Sequence, residues 1–157
     1  MLLGINGKLY YQTQGTRAAW PAENPPTNLS EIDLVGDVRL NIEGTEAEVN
    51  ARKNGGWGAI DVAILKATIE ADIVWDPADT PFAFLLDAFL TRAIVPVACL
   101  DQAKENNGAR GLWADCKVTQ FNQTQNAEGV QMASVTIKPT LTAVPPEFVT
   151  VVVPPNP

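Results

Sequence analysis

The sequence predicts a mainly β chain, a sandwich or barrel of about seven strands with one α-helix packed on it, and three observations carry that prediction. Ala67 to Trp75 reads A-T-I-E-A-D-I-V-W, which puts Ala67, Ile69, Ala71, Ile73 and Trp75 on one side of an extended chain. Thr68, Glu70 and Asp72 fall on the other side. Directly after it, Asp76-Pro77 ends the strand, Asp79 or Thr80 offers a helix cap, and Phe82, Leu85, Leu86 and Phe89 recur at helical spacing. The same two-residue alternation returns in Ile32 to Ile42, Gly111 to Gln123 and Val130 to Lys138.

Taken in order, Leu3 to Gln12 reads as a first strand, followed by a loop over about residues 13–31 that contains Trp20-Pro21, Asn24-Pro25-Pro26 and Asn28. So long a connection in a compact domain usually has a role. From Ile32 to Ile42 the residues Ile32, Leu34, Gly36, Val38, Leu40 and Ile42 face one way, and Asp33, Asp37, Arg39 and Asn41 the other. Glu43-Gly44-Thr45 reads as a turn, after which Ala47, Val49 and Ala51 oppose Glu46, Glu48, Asn50 and Arg52, so a β-hairpin with an acidic outer face is expected here. Lys53-Asn54-Gly55-Gly56-Trp57-Gly58 then interrupts the alternation with glycines that permit positive φ.

Ala59 to Trp75 supplies one long strand or two shorter ones. The helix follows over about residues 80–92, with Pro81 in its first turn, where no helical partner for an N–H is needed. Ile94 to Leu100 is a short apolar strand, and Asp101 to Arg110 a polar turn. In the next strand Leu112, Ala114, Cys116 and Val118 point inward while Trp113, Asp115, Lys117 and Thr119 point outward; Ala133, Val135 and Ile137 mark the core side of its antiparallel partner. The C-terminal stretch, about residues 144–157, is rich in proline and valine. An exposed strand there is an aggregation hazard, so it either closes its own sheet or docks on a neighbour.

A chain of 157 residues is about one domain, and 46% hydrophobic residues with only 18% charged exclude disorder for most of its length. Eleven basic against eighteen acidic residues give a net charge of −7, which repels a phosphate backbone. No secretory leader pattern or membrane-crossing run is seen, so a soluble chain is expected. Cys99 and Cys116 lie in strand-like apolar segments; buried free thiols are the simple expectation, and a disulfide is conceivable if their strands are neighbours.

The chain contains no histidine, which removes the commonest general base and zinc ligand. Two cysteines without a Cys-x-x-Cys spacing make no ordinary zinc site, and no phosphate-cradling glycine motif occurs. Glu46/Glu48 and Glu70/Asp72 are same-face carboxylate pairs, which a solvated strand face explains better than glycoside hydrolysis. Trp113, or Trp57 beside its glycines, could stack on a sugar ring.

Five stretches occur in series: D-V-R-L-N-I-E-G-T-E-A-E-V-N-A-R-K-N-G-G-W at Asp37 to Trp57, L-K-A-T-I-E-A-D-I-V-W-D at Leu65 to Asp76, F-A-F-L-L-D-A-F-L at Phe82 to Leu90, G-L-W-A-D-C-K-V-T-Q-F at Gly111 to Phe121, and V-T-I-K-P-T at Val135 to Thr140. Over about residues 37–140 this series resembles the tail tube proteins, or major tail proteins, of tailed bacteriophages. The resemblance implies a single tail-tube-type domain over residues 1–157, a β-sandwich or barrel with one flanking helix, forming sixfold rings that stack into a hollow tube. It implies a virion protein assembled in the host cytoplasm, with no catalysis, cofactor or membrane. Its partners would be further copies of itself, the tape measure protein, the tail terminator and distal tail or baseplate proteins, with double-stranded DNA passing through the lumen.

Within that frame Asp33, Asp37, Arg39, Asn41, Glu46, Glu48, Glu70 and Asp72 are candidates for the lumen wall, or else for the tube exterior. The loop of Arg52, Lys53, Asn54, Gly55, Gly56 and Trp57 is a candidate contact between rings. Phe148, Val149, Val151, Val152 and Val153 are candidates for a tail that docks on a neighbouring subunit. The competing expectations are a monomeric carbohydrate-binding or adhesin sandwich acting through Trp113 or Trp57, and another tail ring component of the same fold.

Overall fold

The computed structural model describes residues 7–13, 16–49, 55, 57–125 and 127–155. The elements are β1 (Lys8–Tyr11), β2 (Ser30–Glu31), β3 (Val35–Val49), β4 (Ala59–Val74), α1 (Thr80–Thr91), β5 (Val95–Leu100), β6 (Arg110–Thr124), β7 (Met132–Pro139) and β8 (Glu147–Thr150). All strand pairs are antiparallel, in the order β2-β1-β5-β6-β7-β4-β3, with β8 added to β6. Among the described residues no helix is long and apolar enough to cross a membrane.

Alternation assigns one face of this sheet to the core. Leu9 and Tyr11 of β1, Val95 and Val97 of β5, Leu112, Ala114 and Cys116 of β6, Val135 and Ile137 of β7 and Ile69, Ala71 and Ile73 of β4 form one cluster. Helix α1 closes that cluster with Phe82, Leu85 and Ala88. Asp79 is its N-cap, accepting the Phe82 N–H at 3.3 Å, and Pro81 sits in the first turn, as the sequence predicts. Arg92 in the left-handed region (φ 60°) ends it. Trp75 and Phe121 meet the Phe82 ring edge-on at 4.8 and 5.5 Å and seal the strand-to-helix junction.

Two expectations change. The Glu43-Gly44-Thr45 turn does not form: β3 runs unbroken from Val35 to Val49, with Gly44 opposite Leu65. The glycine serves close packing, because a Cβ there would meet Val62 Cγ1 at 2.7 Å. The hairpin is instead β3 with β4, joined through residues 50–58. Second, Trp113 and Asp115 do not face solvent; they are 1% and 2% exposed. From Gly111 to Cys116 β6 is buried on both sides, because Tyr10, Leu29, Ala98, Leu100, Val149 and Val151 form a second cluster around Trp113.

The cysteines do lie on neighbouring strands, but Cys99 faces Leu112 and Cys116 faces Val95. Four residues of strand, roughly 13 Å, separate those positions along β6, beyond the reach of a disulfide. Both are free and buried, and burial pushes their pKa up to about 11 and about 12 from the ordinary 9.0. A thiol raised in this way stabilises the fold fully below pH 9, and that contribution is lost as the pH rises through the folded-state values. Stability is therefore expected to fall between about pH 9 and 12, by at most about 1.4 kcal/mol per pH unit for each thiol. Denaturant titrations against pH, comparing the chain with Cys116→Ala, check this; an identical slope in both excludes Cys116 as a contributor.

Candidate assembly surfaces

The face of the sheet opposite the helix stays open across β3, β4, β7 and the distal half of β6. There the register places Arg39, Glu70, Thr136 and Gln120 in one row across the four strands, and Asp72, Ser134 and Asn122 in the next. Arg39 lies 3.5 Å from the Glu70 carboxylate, Ser134 Oγ donates to Asp72 at 3.0 Å, and Thr136 Oγ1 donates to Gln120 at 3.5 Å. These groups line a concavity of about 1280 Å³ that also takes in Asp37, Lys8, Asp101, Arg110 and the Phe148 ring. Four carboxylates against three basic groups make this wall polar and nearly balanced, not the strongly acidic face expected from the alternation.

Of the candidate wall residues, the structure thus brings together Asp37, Arg39, Glu70 and Asp72, and Asn41 shares their face two residues beyond Arg39. Asp33 precedes β3, exposed and outside the concavity. Glu46 and Glu48 depart from the expectation. Without a turn at Gly44, β3 keeps alternating, so they stand on the opposite face, across from Val62 and Ile60. The β3–β4 ladder is irregular at two places, Val35/Val38 and Thr45/Glu46. The first of them also brings Val35 against the helix-side core while Leu34 is exposed.

Strand β7 covers β4 only from Ile69 to Val74, so Ile42–Val49 and Ala59–Ala67 project as a two-stranded arm of roughly 25 Å. Partners in an antiparallel ladder share a face, which puts Ile60, Val62 and Leu65 together with Ile42, Glu46 and Glu48. All four apolar side chains are exposed, Leu65 to 73%. Trp57 stands 82% exposed near the arm's end. Of the candidate ring-contact loop, Gly55 (φ 62°) and Trp57 are described; Arg52, Lys53, Asn54 and Gly56 lie outside the described residues. The outer edge of β3 pairs with nothing among the described residues, since β3 ends the strand order.

The C-terminal candidates divide. Val149 and Val151 are buried in their own protomer, because β8 pairs Arg110–Trp113 and closes the sheet that sequence reasoning left open. Phe148 and Val152 are exposed, at 60% and 43%, and Val153 packs against the second cluster. Trp113, offered from sequence as a sugar platform, is covered: Trp20 meets it edge-on at 5.5 Å and Arg17 stacks over its ring at 5.5 Å. The sequence signal that could have shown this is Trp20 itself, a large aromatic in a loop too long to be idle.

An antiparallel sheet with one flanking helix, an edge strand unpaired among the described residues and a projecting arm make up this chain, and the arrangement is the tail-tube fold of the structures it matches. Its structure is similar to the tail of an empty gene transfer agent particle of C6 symmetry, at a TM-score of 0.73 and 12% identity over 96% of this chain and 100% of that one. It is similar to the SPP1 tail tube at a TM-score of 0.64 and 12% identity, over 88% of this chain and 75% of that one. A chain of the extended sheath–tube complex of an extracellular contractile injection system follows, at 0.55 and 9%, over 95% and 93%. No protein-family model and no curated protein matches the sequence.

Proposed function

We propose that this chain is the structural subunit of a tail tube, with copies joined edge to edge into rings and the rings stacked into a hollow conduit in a virion tail. The observation that carries this reading is the pairing of an unshielded β3 edge with an arm whose Ile60, Val62 and Leu65 are bare. Lone protomers with such features tend to aggregate, and a closed ring removes both liabilities. The C6 symmetry of the gene transfer agent tail, matched over nearly all of this chain, supports six copies per ring.

In this reading the concave face of Arg39, Asn41, Glu70 and Asp72 lines the lumen. Hydroxyl, amide and paired charged groups there give passing double-stranded DNA no row of free cations to grip. The arm end with Trp57 and the exposed Phe148 and Val152 face other copies, and the tube ends meet a terminator and distal tail proteins, with the tape measure protein inside. The role requires no catalysis and no cofactor.

Negative-stain microscopy of the purified chain at high concentration tests the proposal. Stacked hollow rings are expected; single rings that never extend would point to another tail ring component, and monomers alone would overturn self-assembly. Replacing Glu70 and Asp72 together by lysine is expected to slow DNA ejection from particles carrying the variant, since new cations would hold phosphates. Unchanged ejection kinetics would place this face outside the lumen.

A further inference from the structure

The second cluster is closed by two segments far apart in the chain, and one polar network joins them, buried at Arg17 and Asp115 and one-third exposed at Glu147. The Arg17 side chain has no exposed surface; its guanidinium lies 3.8 Å from Glu147 Oε2 and donates to the carbonyls of Pro145 and Val144. Its Nε is buried without a hydrogen-bond partner among the described residues. Asp115, on β6 between them, accepts the Arg17 backbone N–H at 2.9 Å on one oxygen and the Thr142 hydroxyl at 2.7 Å on the other. Trp20 N–H donates to Glu147 at 3.2 Å, Trp113 Nε1 to Ala18 O at 3.1 Å, and Asn24 N–H to Val152 O at 2.7 Å.

We infer that residues 16–29 and 140–153 form a single latch, held shut by Arg17 between Asp115 and Glu147, that opens as one unit and controls whether β6 presents a free pairing edge. Neither segment can leave alone at small cost. Lifting the N-terminal segment removes the cation and strands Asp115 and the C-terminal carbonyls, while lifting the C-terminal segment strands a buried guanidinium. Few backbone ladders hold either piece: β8 pairs four residues of β6, and residues 16–29 belong to no strand. Closed, the latch covers the stretch Arg110–Trp113 of β6, which β7 leaves uncovered because its pairing with β6 stops at Cys116. Open, it adds that edge and the Trp113 ring to the bare β3 edge. The latch therefore decides whether that stretch of β6 is paired within the protomer or bare.

Hydrogen exchange of the full chain, followed by mass spectrometry across a denaturant series, tests this without reference to tube formation. In the unmodified chain both segments are expected to share one opening free energy and one denaturant slope, below those of β4 and β7. In Arg17→Met both are expected to exchange at least about tenfold faster while β4 and β7 keep their protection. Adding Glu147→Gln to Arg17→Met is expected to restore part of that protection, since the carboxylate that faced the lost cation is then neutral. Should Arg17→Met not fold, the unmodified chain and Glu147→Gln alone decide. Different slopes for the two segments, or loss of protection in one without the other, would overturn the latch.

Discussion

Replacing Ile60, Val62 and Leu65 together by serine is expected to leave a folded monomer and abolish tubes. All three are exposed in the protomer, and β4 at those positions pairs only with β3, so the main core does not depend on them. Burying such side chains against another copy is worth about 1.5–3 kcal/mol each, so their loss removes on the order of 5 kcal/mol or more from each protomer's contacts. That corresponds to a rise of over about a thousandfold in the concentration needed for assembly. Sedimentation and microscopy at matched concentrations give the result. Tubes forming at the original concentration would show that the arm is not an interface.

Gly111→Ala carries the largest expected loss of stability. A Cβ at residue 111 would lie 1.8 Å from the Cys99 carbonyl oxygen and 2.9 Å from Leu100 Cα, both backbone atoms that no rotamer change can move. Relief requires β5 and β6 to separate at Leu100–Gly111, where both sheet faces are packed. Overpacking at so rigid a point is expected to cost about 3 kcal/mol or more, which lowers the melting temperature by roughly 6–12 °C for a chain of this length. Thermal unfolding of the purified variant measures it. A shift under about 2 °C would mean that the strands do not approach so closely there.

Much of the fold was legible because its causes are local. The alternation of Ile69, Ala71 and Ile73, the Asp79 cap with Pro81 behind it, and the helical spacing of Phe82, Leu85 and Phe89 each act within a few residues. The candidate surfaces were legible only where strand alternation held. Arg39, Glu70 and Asp72 meet on one wall as the period of two requires, whereas grouping Glu46 and Glu48 with them depends on a turn that Gly44 suggests and the β3–β4 ladder overrides. A glycine between Glu43 and Thr45 looks the same whether it bends the chain or admits Val62 of the neighbouring strand.

The sequence by itself determined a β-rich chain with one helix, free of histidine chemistry, with a polar strand face and a valine-rich end, because side-chain periodicity and composition are properties of neighbours along the chain. Only the tertiary structure decided that Trp113 and Asp115 are buried, that Val149 and Val151 turn inward, and that Cys99 and Cys116 stay apart. Those outcomes depend on which strands become neighbours and in what register. Arg17 meets Asp115 and Glu147 only when distant segments close on one sheet face, and nothing within a few residues of any of the three encodes that meeting.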